Sequence, residues 1–145
     1  MVDKFNPAKR SEIMSRIGAK NTKPELAVRK ILHGMGFRFR LHCKDLPGKP
    51  DIVLRRFKTA IFVHGCFWHG HAKCRRAALP AVRREFWQAK IAANRARDRK
   101  TTRSLGELGY HQLTVWQCEL KDQERLIKRF YKIRLTISAR RDYVR

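Results

Sequence analysis

The segment from Val63 to Cys74 constrains this chain more than any other part of it. It reads Val-His-Gly-Cys-Phe-Trp-His-Gly-His-Ala-Lys-Cys. Thiolate and imidazole groups are zinc ligands, imidazole also carries protons near neutral pH, and flat aromatic rings can enter a stack of bases. The segment therefore predicts a metal-stabilised site that acts on a molecule containing bases.

Three residues of this segment and one remote cysteine are candidate zinc ligands. They are Cys66, His71, Cys74 and Cys118. A Cys₃His set suits a closed tetrahedral site with a structural role, and its remote member would pin the loop to the sheet. The alternative is that two of the cysteines are merely small buried side chains. The spacing also allows His69 in place of His71, whereas Cys43 lies outside any cluster and is interpreted as a spectator.

The charge of the chain indicates a class of partner. Lys and Arg total 35 against 12 Asp and Glu among 145 residues, a formal net charge of +23. A surface this positive attracts polyanions, and nucleic acid is the leading candidate. Ribosomal and packaging proteins share this property, so charge indicates the partner and not the activity.

The length predicts a single domain over residues 1–145, with a core at about 11–120 and a basic helix and tail at 121–145. The N-terminus is polar, and no apolar run approaches membrane-spanning length. The chain is therefore expected to have no membrane partner and to work in the cytoplasm. Thiols stay reduced there, which favours metal ligation over disulfides.

The hydrophobic pattern predicts helices and short strands. A capping pattern at Thr22–Glu25 opens a helix that runs to Met35. The strand Thr59–Val63 is apolar along most of its length, as in a sheet covered on both faces. The other expected elements are a short basic helix at Ser11–Ala19, strands at Phe37–Leu41, Asp51–Leu54 and Leu113–Trp116, a long helix from Pro80 to Glu107 and a basic helix from Asp122 to Ile137. This order predicts an α/β fold in which a small mixed sheet is flanked by helices.

Few acidic residues are available to hold a hard cation. Asp51 follows Pro50 at the start of a strand, where a carboxylate can protrude and bind Mg²⁺, although a turn residue is an equal alternative. Glu25 is explained by the capping pattern, yet a carboxylate at a helix start is also able to face the same metal through water. The order Pro-Asp, hairpin, buried strand is the layout of restriction-endonuclease-like nucleases. Here Phe62-Val63-His64 takes the place of the usual acid-x-Lys triplet, so Val63 offers a metal only its backbone carbonyl and His64 replaces the lysine.

One histidine outside the zinc set is a candidate for proton transfer. His69 is free to reach a water or a phosphate. Asp98 shares one face of the long helix with Trp87, Ile91 and Asn94. It is able to hold His69 in one tautomer, and pairing with a neighbouring arginine is an equal alternative.

Three aromatic residues are candidates for contact with bases. Phe67 and Trp68 lie in the loop that zinc would stiffen, and Trp87 follows Phe86 in a similar pair. Core packing is the usual role of such residues, but two sequence neighbours do not easily point into one core. Rigid aromatics beside a basic surface can wedge into a base step, which costs least at a mispair.

Blocks spread over most of the chain resemble the very short patch repair (Vsr) endonucleases. The agreement runs from about Ser11 to Glu119, and the His-Gly-Cys-Phe-Trp-His run is its most specific part. The blocks are Lys20–Glu25, Leu46–Asp51, Phe62–His71, Glu85–Trp87, Asn94–Asp98 and Val115–Cys118. The resemblance implies a monomeric, Mg²⁺-dependent endonuclease of restriction-endonuclease-like fold with a structural zinc. It implies that the enzyme nicks 5′ of the T in a T:G mismatch left by deamination of 5-methylcytosine, which starts very short patch repair.

The resemblance also implies a role for each candidate residue in the reaction. Asp51 and the Val63 carbonyl would bind Mg²⁺, and Glu25 would hold a metal-bound water. His69 would be the catalytic base, supported by Asp98.

The remaining implied roles concern DNA and zinc. His64 would contact the region of the scissile phosphate. The intercalating aromatics would be Phe67, Trp68 and Trp87, and the zinc ligands Cys66, His71, Cys74 and Cys118. Two positions depart from the family pattern, since the spacing before Cys74 can be one residue shorter and some members have Thr in place of Val63.

The implied partner is double-stranded DNA with a T:G mismatch, in a bacterial cytoplasm and associated with the nucleoid. A functional link to a cytosine-5 methyltransferase and to downstream repair proteins would follow. Two other functions remain open at the level of sequence. One is a zinc-stabilised DNA-binding protein without catalysis, and the other is a homologue that nicks a different mismatch or sequence.

Overall fold

The computed structural model describes residues 21–144, with side chains described as far as residue 135. The short helix predicted at Ser11–Ala19 lies outside the described residues. Within the described range the elements are α1 (Lys23–Gly34), β1 (Arg40–Leu41), β2 (Ile52–Leu54), β3 (Thr59–His64), α2 (Arg84–Glu107), β4 (His111–Trp116) and α3 (Gln123–Val144). Short 3₁₀ turns occur at Arg55–Phe57, Arg75–Ala77 and Gln117–Lys121.

The four strands form one mixed sheet in the order β1-β2-β3-β4. β2 pairs antiparallel with β1 and with β3, whereas β3 and β4 pair parallel, so that α2 makes the crossover between them. His64 lies opposite Trp116 at the last position of the parallel pair. Because parallel strands end on the same side of a sheet, the segments that carry Cys66, Cys74 and Cys118 leave the sheet at the same edge.

Side chains of the sheet alternate between two apolar layers, as the period of a strand requires. The larger layer comprises Val28, Leu32, Phe37, Ile52, Leu54, Ile61, Val115, Leu126, Phe130 and Ile133. The smaller layer comprises Cys43, Leu46, Val53, Ala60, Phe62 and Leu105. Helices α1 and α3 therefore cover one face and the end of α2 covers the other, which confirms the prediction of a mixed α/β fold with helices on both faces.

Helix α1 begins where the capping pattern predicts. The Thr22 hydroxyl accepts a hydrogen bond from the Glu25 N–H at 3.4 Å, and Pro24 lies in the first turn. The Glu25 carboxylate does not close the reciprocal bond to Thr22 but accepts from the N–H of Asn21 at 3.1 Å. Its side chain consequently turns inward, and Glu25 is only 3% exposed.

Several element boundaries differ from the prediction, and the backbone explains two of the differences. The strand expected at Phe37–Leu41 shortens to Arg40–Leu41, because the Phe37 N–H donates to the Leu32 carbonyl and closes the end of α1. The long helix begins at Arg84 and not at Pro80, because Arg83 has a left-handed backbone with φ 56°. Helix α3 extends beyond the predicted end, to Val144.

No helix in residues 21–144 combines the length and the apolar character needed to cross a membrane.

Candidate active site

Asp51 lies at one end of β2, beside the last residues of β3. Its Oδ2 accepts a hydrogen bond from the Val63 N–H at 2.8 Å. A residue in a strand points its N–H and C=O toward the same neighbour, so the Val63 carbonyl faces the same side as this bond. Continuing the β2–β3 register puts Val63 opposite Pro50, and proline has no N–H to offer that carbonyl. The Asp51 carboxylate and the Val63 carbonyl, which receives no hydrogen bond from Pro50, therefore lie close together at the end of the sheet.

Glu25, which is buried, and the half-buried His42 form a cluster with the half-buried Asp51. One potential ligand atom of each lies within 4.8 Å of those of the other two. Burial raises the pKa of Asp51 to about 6, the Val63 N–H opposes that rise, and the nearby Glu25 carboxylate adds to it. A cation bound between the two carboxylates would favour their charged forms.

The Glu25 carboxylate is held by residues on three sides. Its Oε2 lies 3.2 Å from the Arg29 Nη2 and 3.1 Å from the His42 Nε2, in addition to the bond from Asn21. The Arg29 guanidinium also donates to the Asn21 side chain at 2.8 Å. This network fixes the position of a carboxylate that would otherwise be costly to bury.

His64, His69 and Asp98 form a second group. The His69 Nδ1 lies 2.7 Å from the Asp98 Oδ2. Of the two partners considered for Asp98, a histidine or a neighbouring arginine, the close contact is therefore with the histidine. The rings of His64 and His69 are stacked, with centroids 3.7 Å apart and an angle of 3° between planes. With Nδ1 engaged by a carboxylate, a neutral His69 exposes its Nε2 as a proton acceptor.

His64, which stacks on His69, is buried and only 7% exposed. Burial lowers the pKa of His64 to about 4, the neighbouring His69 lowers it further, and Asp98 opposes the change. His64 is therefore neutral near pH 7, and it contributes an uncharged hydrogen-bonding ring to the site.

The four candidate zinc ligands converge. Atoms of Cys66, His71, Cys74 and Cys118 all lie within 4.8 Å of one another, and the Cys118 Sγ is 3.5 Å from the His71 Nδ1. A tetrahedral zinc site sets neighbouring ligand atoms about 3.3–3.8 Å apart, so this donor set fits the metal after small adjustments. Desolvation raises the pKa of Cys118 to about 11, and the neighbouring thiols of Cys66 and Cys74 add to the rise. A bound cation would stabilise the thiolate form and so lower this pKa. His69 is absent from this group.

Trp116 lies between the two groups of histidines. It stacks on His71 at 4.1 Å with an angle of 9°, and it presents an edge to His64 at 5.4 Å. Its N–H donates to the Glu119 carboxylate at 3.1 Å, and Arg129 of α3 in turn donates to Glu119. The bond to Glu119 comes from the backbone N–H of Trp116, so the end of β4 is linked to α3, while the Trp116 ring contacts both candidate sites.

The three candidate aromatics pack against one another. Phe67, Trp68 and Trp87 form edge-to-face pairs with ring centroids 5.2 to 5.7 Å apart. They belong to neither of the two core layers, and Trp68 is 38% exposed. The ammonium group of Lys90 lies 5.7 Å from the Trp68 ring. The site therefore has an aromatic cluster at the surface, flanked by positive charge.

The loop that carries Phe67 and Trp68 is held against α2, the helix that carries Trp87. Asn94 donates to the Trp68 carbonyl at 2.8 Å, one helical turn before Asp98 engages His69. Gly70 has φ +59°, and a Cβ at this position would lie 2.7 Å from the Ile91 side chain. One face of α2 consequently positions both the aromatic cluster and His69 beside it.

Two residues of the site were not singled out from the sequence. His42 follows a predicted strand and faces Asp51 only because of the β1–β2 register. Trp116 ends the last predicted strand, and its proximity to His64 depends on parallel pairing with β3. Only a prediction of which strands pair, and in which register, would have placed His42 and Trp116 in the site, because no local motif marks them. Cys43, interpreted as a spectator, lies in the smaller core layer and outside the zinc group.

The fold and the site together define a class of enzyme. Paired carboxylates at the end of a mixed sheet, with a histidine–aspartate pair beside them on a very basic chain, are the parts of a DNA-cleaving enzyme. The catalytic domain of the homing endonuclease I-Bth0305I has a similar fold, with a TM-score of 0.58 at 24% identity. The likeness covers 80% of this chain and 97% of that domain.

Sequence comparison narrows this class to a family. The model of the family described as DNA mismatch endonuclease Vsr matches residues 2–76. The chain is 52% identical to the type II nicking enzyme V.XorIIP of Xanthomonas oryzae pv. oryzae, over 84% of this chain and 89% of that one. It is 42% identical to the DNA mismatch endonuclease Vsr of Escherichia coli K12, over 87% of this chain and 80% of that one. The chain belongs to the Vsr family and is an endonuclease, which confirms the prediction from its motifs.

Proposed function

We propose that this endonuclease nicks double-stranded DNA on the 5′ side of the T in a T:G mismatch left by deamination of 5-methylcytosine. One continuous arrangement carries the proposal. Asp51 is bonded to Val63, the adjacent His64 stacks on His69, and His69 pairs with Asp98 beside the aromatic cluster. A cation site, a proton acceptor and a device for contact with bases therefore lie along one end of the sheet.

Asp51 and the Val63 carbonyl are the proposed ligands of Mg²⁺, with Glu25 close enough to act through water. The fit rests on the donor set: oxygen atoms of one buried and one half-buried carboxylate and a backbone carbonyl opposite proline are what a hard cation takes. When bound, Mg²⁺ supplies a Lewis acid that stabilises negative charge on the scissile phosphate. Asp51 is the residue of this set on which cleavage depends most, because it offers a side-chain charge directly to the cation.

His69 is the proposed general base. Its Nε2 accepts the proton of the attacking water, since the Nδ1 is engaged by Asp98. Asp98 keeps the ring in the required tautomer and stabilises the imidazolium that forms. The neutral His64 ring supports His69 by stacking, and its proposed role is contact with the region of the scissile phosphate.

Phe67, Trp68 and Trp87 are the proposed wedge. Their rings already touch one another at the surface, so the wedge is assembled before it meets DNA. Unstacking a base step costs a few kcal/mol, and a mispair lowers that cost, which favours insertion at a mismatch.

A structural Zn²⁺ is the proposed occupant of the group formed by Cys66, His71, Cys74 and Cys118. All four side chains are engaged, which leaves no open position for a reacting molecule. The metal would tie the loop after β3 to the end of β4, and it would hold the aromatic loop in place.

The cellular setting is part of the proposal. The enzyme is proposed to act as a monomer in the bacterial cytoplasm, associated with the nucleoid. A mismatch at a deaminated 5-methylcytosine implies a functional link to a cytosine-5 methyltransferase and to downstream repair proteins. The whole chain, residues 1–145, is proposed to form one domain.

The decisive experiment compares two end-labelled duplexes that differ only in one T:G or T:A pair, in a cytosine-methylation context. We expect one nick 5′ of the mispaired T, formed with Mg²⁺ and absent with EDTA. Asp51→Asn is expected to abolish the nick while mismatch binding in a gel-shift assay remains. Asp45→Asn, which breaks an exposed pair with Arg55, serves as the matched control and retains cleavage.

The other outcomes separate the remaining functions. Tight mismatch binding without a nick, across several sequence contexts, would support the DNA-binding protein without catalysis. A nick at a different mismatch would retain the nuclease and overturn the T:G specificity. Loss of binding and folding together in Asp51→Asn would contradict the metal role of Asp51.

A further inference from the structure

His42 occupies a special backbone position next to Asp51. Its N–H donates to the Asp51 carbonyl at 3.1 Å, which continues the β1–β2 pairing by one residue. Its φ is +47°, in the left-handed region that residues with a side chain seldom adopt. This strained conformation lets the imidazole turn from the strand toward the carboxylates.

The His42 imidazole completes the cluster of Glu25 and Asp51. Its Nε2 lies 3.1 Å from the Glu25 Oε2, and one of its ring nitrogens lies within 4.8 Å of an Asp51 carboxylate oxygen. Ligand atoms that share a small divalent cation at about 2.1 Å stand about 3 Å apart on adjacent positions. The observed spacing thus matches two neighbouring ligands as well as it matches a hydrogen bond.

The three donors do not form a set of oxygen ligands alone. Carboxylates suit Mg²⁺, Ca²⁺ and Mn²⁺, whereas an imidazole is a poor partner for Mg²⁺ and a good one for transition metals. A site that combines two carboxylates with one imidazole favours a cation that accepts both kinds of ligand, and Mn²⁺ is the hardest such cation.

We propose that the His42 Nε2 is a direct ligand of the divalent cation held by Asp51, and that it raises the affinity of this site for Mn²⁺ relative to Mg²⁺. The inference rests on the proposed function, because it takes the Asp51 cation site as given. His42 thereby becomes a residue that sets the metal preference of this chain, which nothing in the local sequence around Asp51 reveals.

Arg29 limits the number of ligands that Glu25 offers. Its guanidinium lies 3.2 Å from the Glu25 Oε2 and 3.4 Å from the His42 Nε2. A permanent positive charge at this point weakens the binding of a hard, highly charged cation by repulsion. Mn²⁺ forms a stronger bond to an imidazole nitrogen than Mg²⁺ does, so ligation by His42 offsets this repulsion better for Mn²⁺.

Pulsed electron paramagnetic resonance tests the ligand directly. Mn²⁺ is added below one equivalent to the full-length, zinc-loaded protein without DNA, so that the result does not depend on cleavage. We expect the nitrogen modulation of a directly bound imidazole in the wild type, and its loss in His42→Gln. His69→Gln and His33→Gln, which change a histidine of the second group and an exposed one, are expected to retain the modulation.

Binding constants from calorimetry give the second measurement. His42→Gln preserves a side chain that can bond Glu25, so a role limited to positioning Glu25 leaves the ratio of Mn²⁺ to Mg²⁺ affinity unchanged. Direct ligation predicts that this ratio falls by about tenfold or more, mainly through weaker Mn²⁺ binding.

Three outcomes distinguish this inference from the proposed function. Modulation that disappears with His42 and a lowered ratio of affinities support both. Mn²⁺ that binds through Asp51 without imidazole modulation overturns the role of His42 alone. Mn²⁺ binding that survives in Asp51→Asn overturns the proposed cation site, and the inference with it.

Discussion

Asp98 and His69 form the shortest contact between a histidine and a carboxylate in the described site, 2.7 Å. The pair determines which ring nitrogen of His69 is free, and a change of one atom in Asp98 is enough to disturb that choice. At the scale of a residue, the proposed activity therefore depends on a side chain that never has to touch DNA.

We expect Asp98→Asn to lower the nicking rate by about 10²-fold or more, because an amide can hold the His69 ring in the wrong tautomer. Mismatch affinity in a gel-shift assay should stay within a few fold of the wild type. Single-turnover kinetics measure the rate, and Asp45→Asn again provides a control at an exposed ion pair. An equal loss of affinity and rate would indicate a structural role for Asp98.

The buried His64 imidazole predicts a pH-dependent stability. Its folded pKa of about 4 lies below the ordinary value of 6.5, so the unfolded chain binds the proton more readily between these values. The contribution of neutral His64 is thus complete above pH 6.5 and is lost as the pH falls toward 4.

We expect the wild type to lose about 1 kcal/mol more free energy of unfolding than His64→Gln between about pH 7.5 and about pH 5.5. Urea unfolding of both proteins at saturating zinc measures the difference and cancels any effect of pH on the metal. Equal losses in the two proteins would contradict a depressed pKa for His64.

At the scale of the element, α3 contributes more to the fold than its basic composition suggests. Phe130 is fully buried in the larger core layer, whereas its neighbour Tyr131 is 55% exposed. The helix thus presents one apolar side to the sheet and leaves the rest to solvent.

We expect Phe130→Ala to lower the free energy of unfolding by about 3–5 kcal/mol, because it removes a ring from a packed layer. Tyr131→Ala, an aromatic-to-alanine change one position along the same helix, should cost about 0.5 kcal/mol or less. Denaturant titration compares the two. A similar effect of both substitutions would mean that α3 does not pack as described.

The elements also show how far sequence reasoning reaches. The strand Thr59–Val63, the capped helix at Lys23 and the ligand group around Cys66 follow from local patterns, and each was found close to its predicted place. The partners of Asp51 and His64 do not follow from local patterns, because they come from pairing between strands. His42 reaches Asp51 through the β1–β2 register, and Trp116 reaches His64 through a parallel pair separated by the whole of α2.

At the scale of the whole molecule, the group of Cys66, His71, Cys74 and Cys118 connects distant parts of the chain. Cys66 is fully buried directly after β3, and Cys118 follows β4. A metal at this group would act as a crosslink across the long crossover between the two strands.

We expect Cys118→Ala to reduce bound zinc from about one per chain to nearly none, and to lower the Tm by several degrees through the loss of that crosslink. Cys43→Ala is the matched control, because it removes a buried thiol that lies in a core layer and outside the ligand group. Elemental analysis and thermal unfolding measure the two effects. Zinc retained in Cys118→Ala would contradict the proposed ligand set.

The parallel pairing of β3 with β4 affects the rates at which the chain folds and unfolds. These strands come together only after the intervening loop and the whole of α2 have been spanned, and closing so long a segment carries an entropic cost that local contacts do not repay early. Folding should therefore be slow for a chain of this size. Contacts made late stabilise the native state without speeding its formation, so the β3–β4 pairing should act mainly by slowing the opening of the molecule once it has folded.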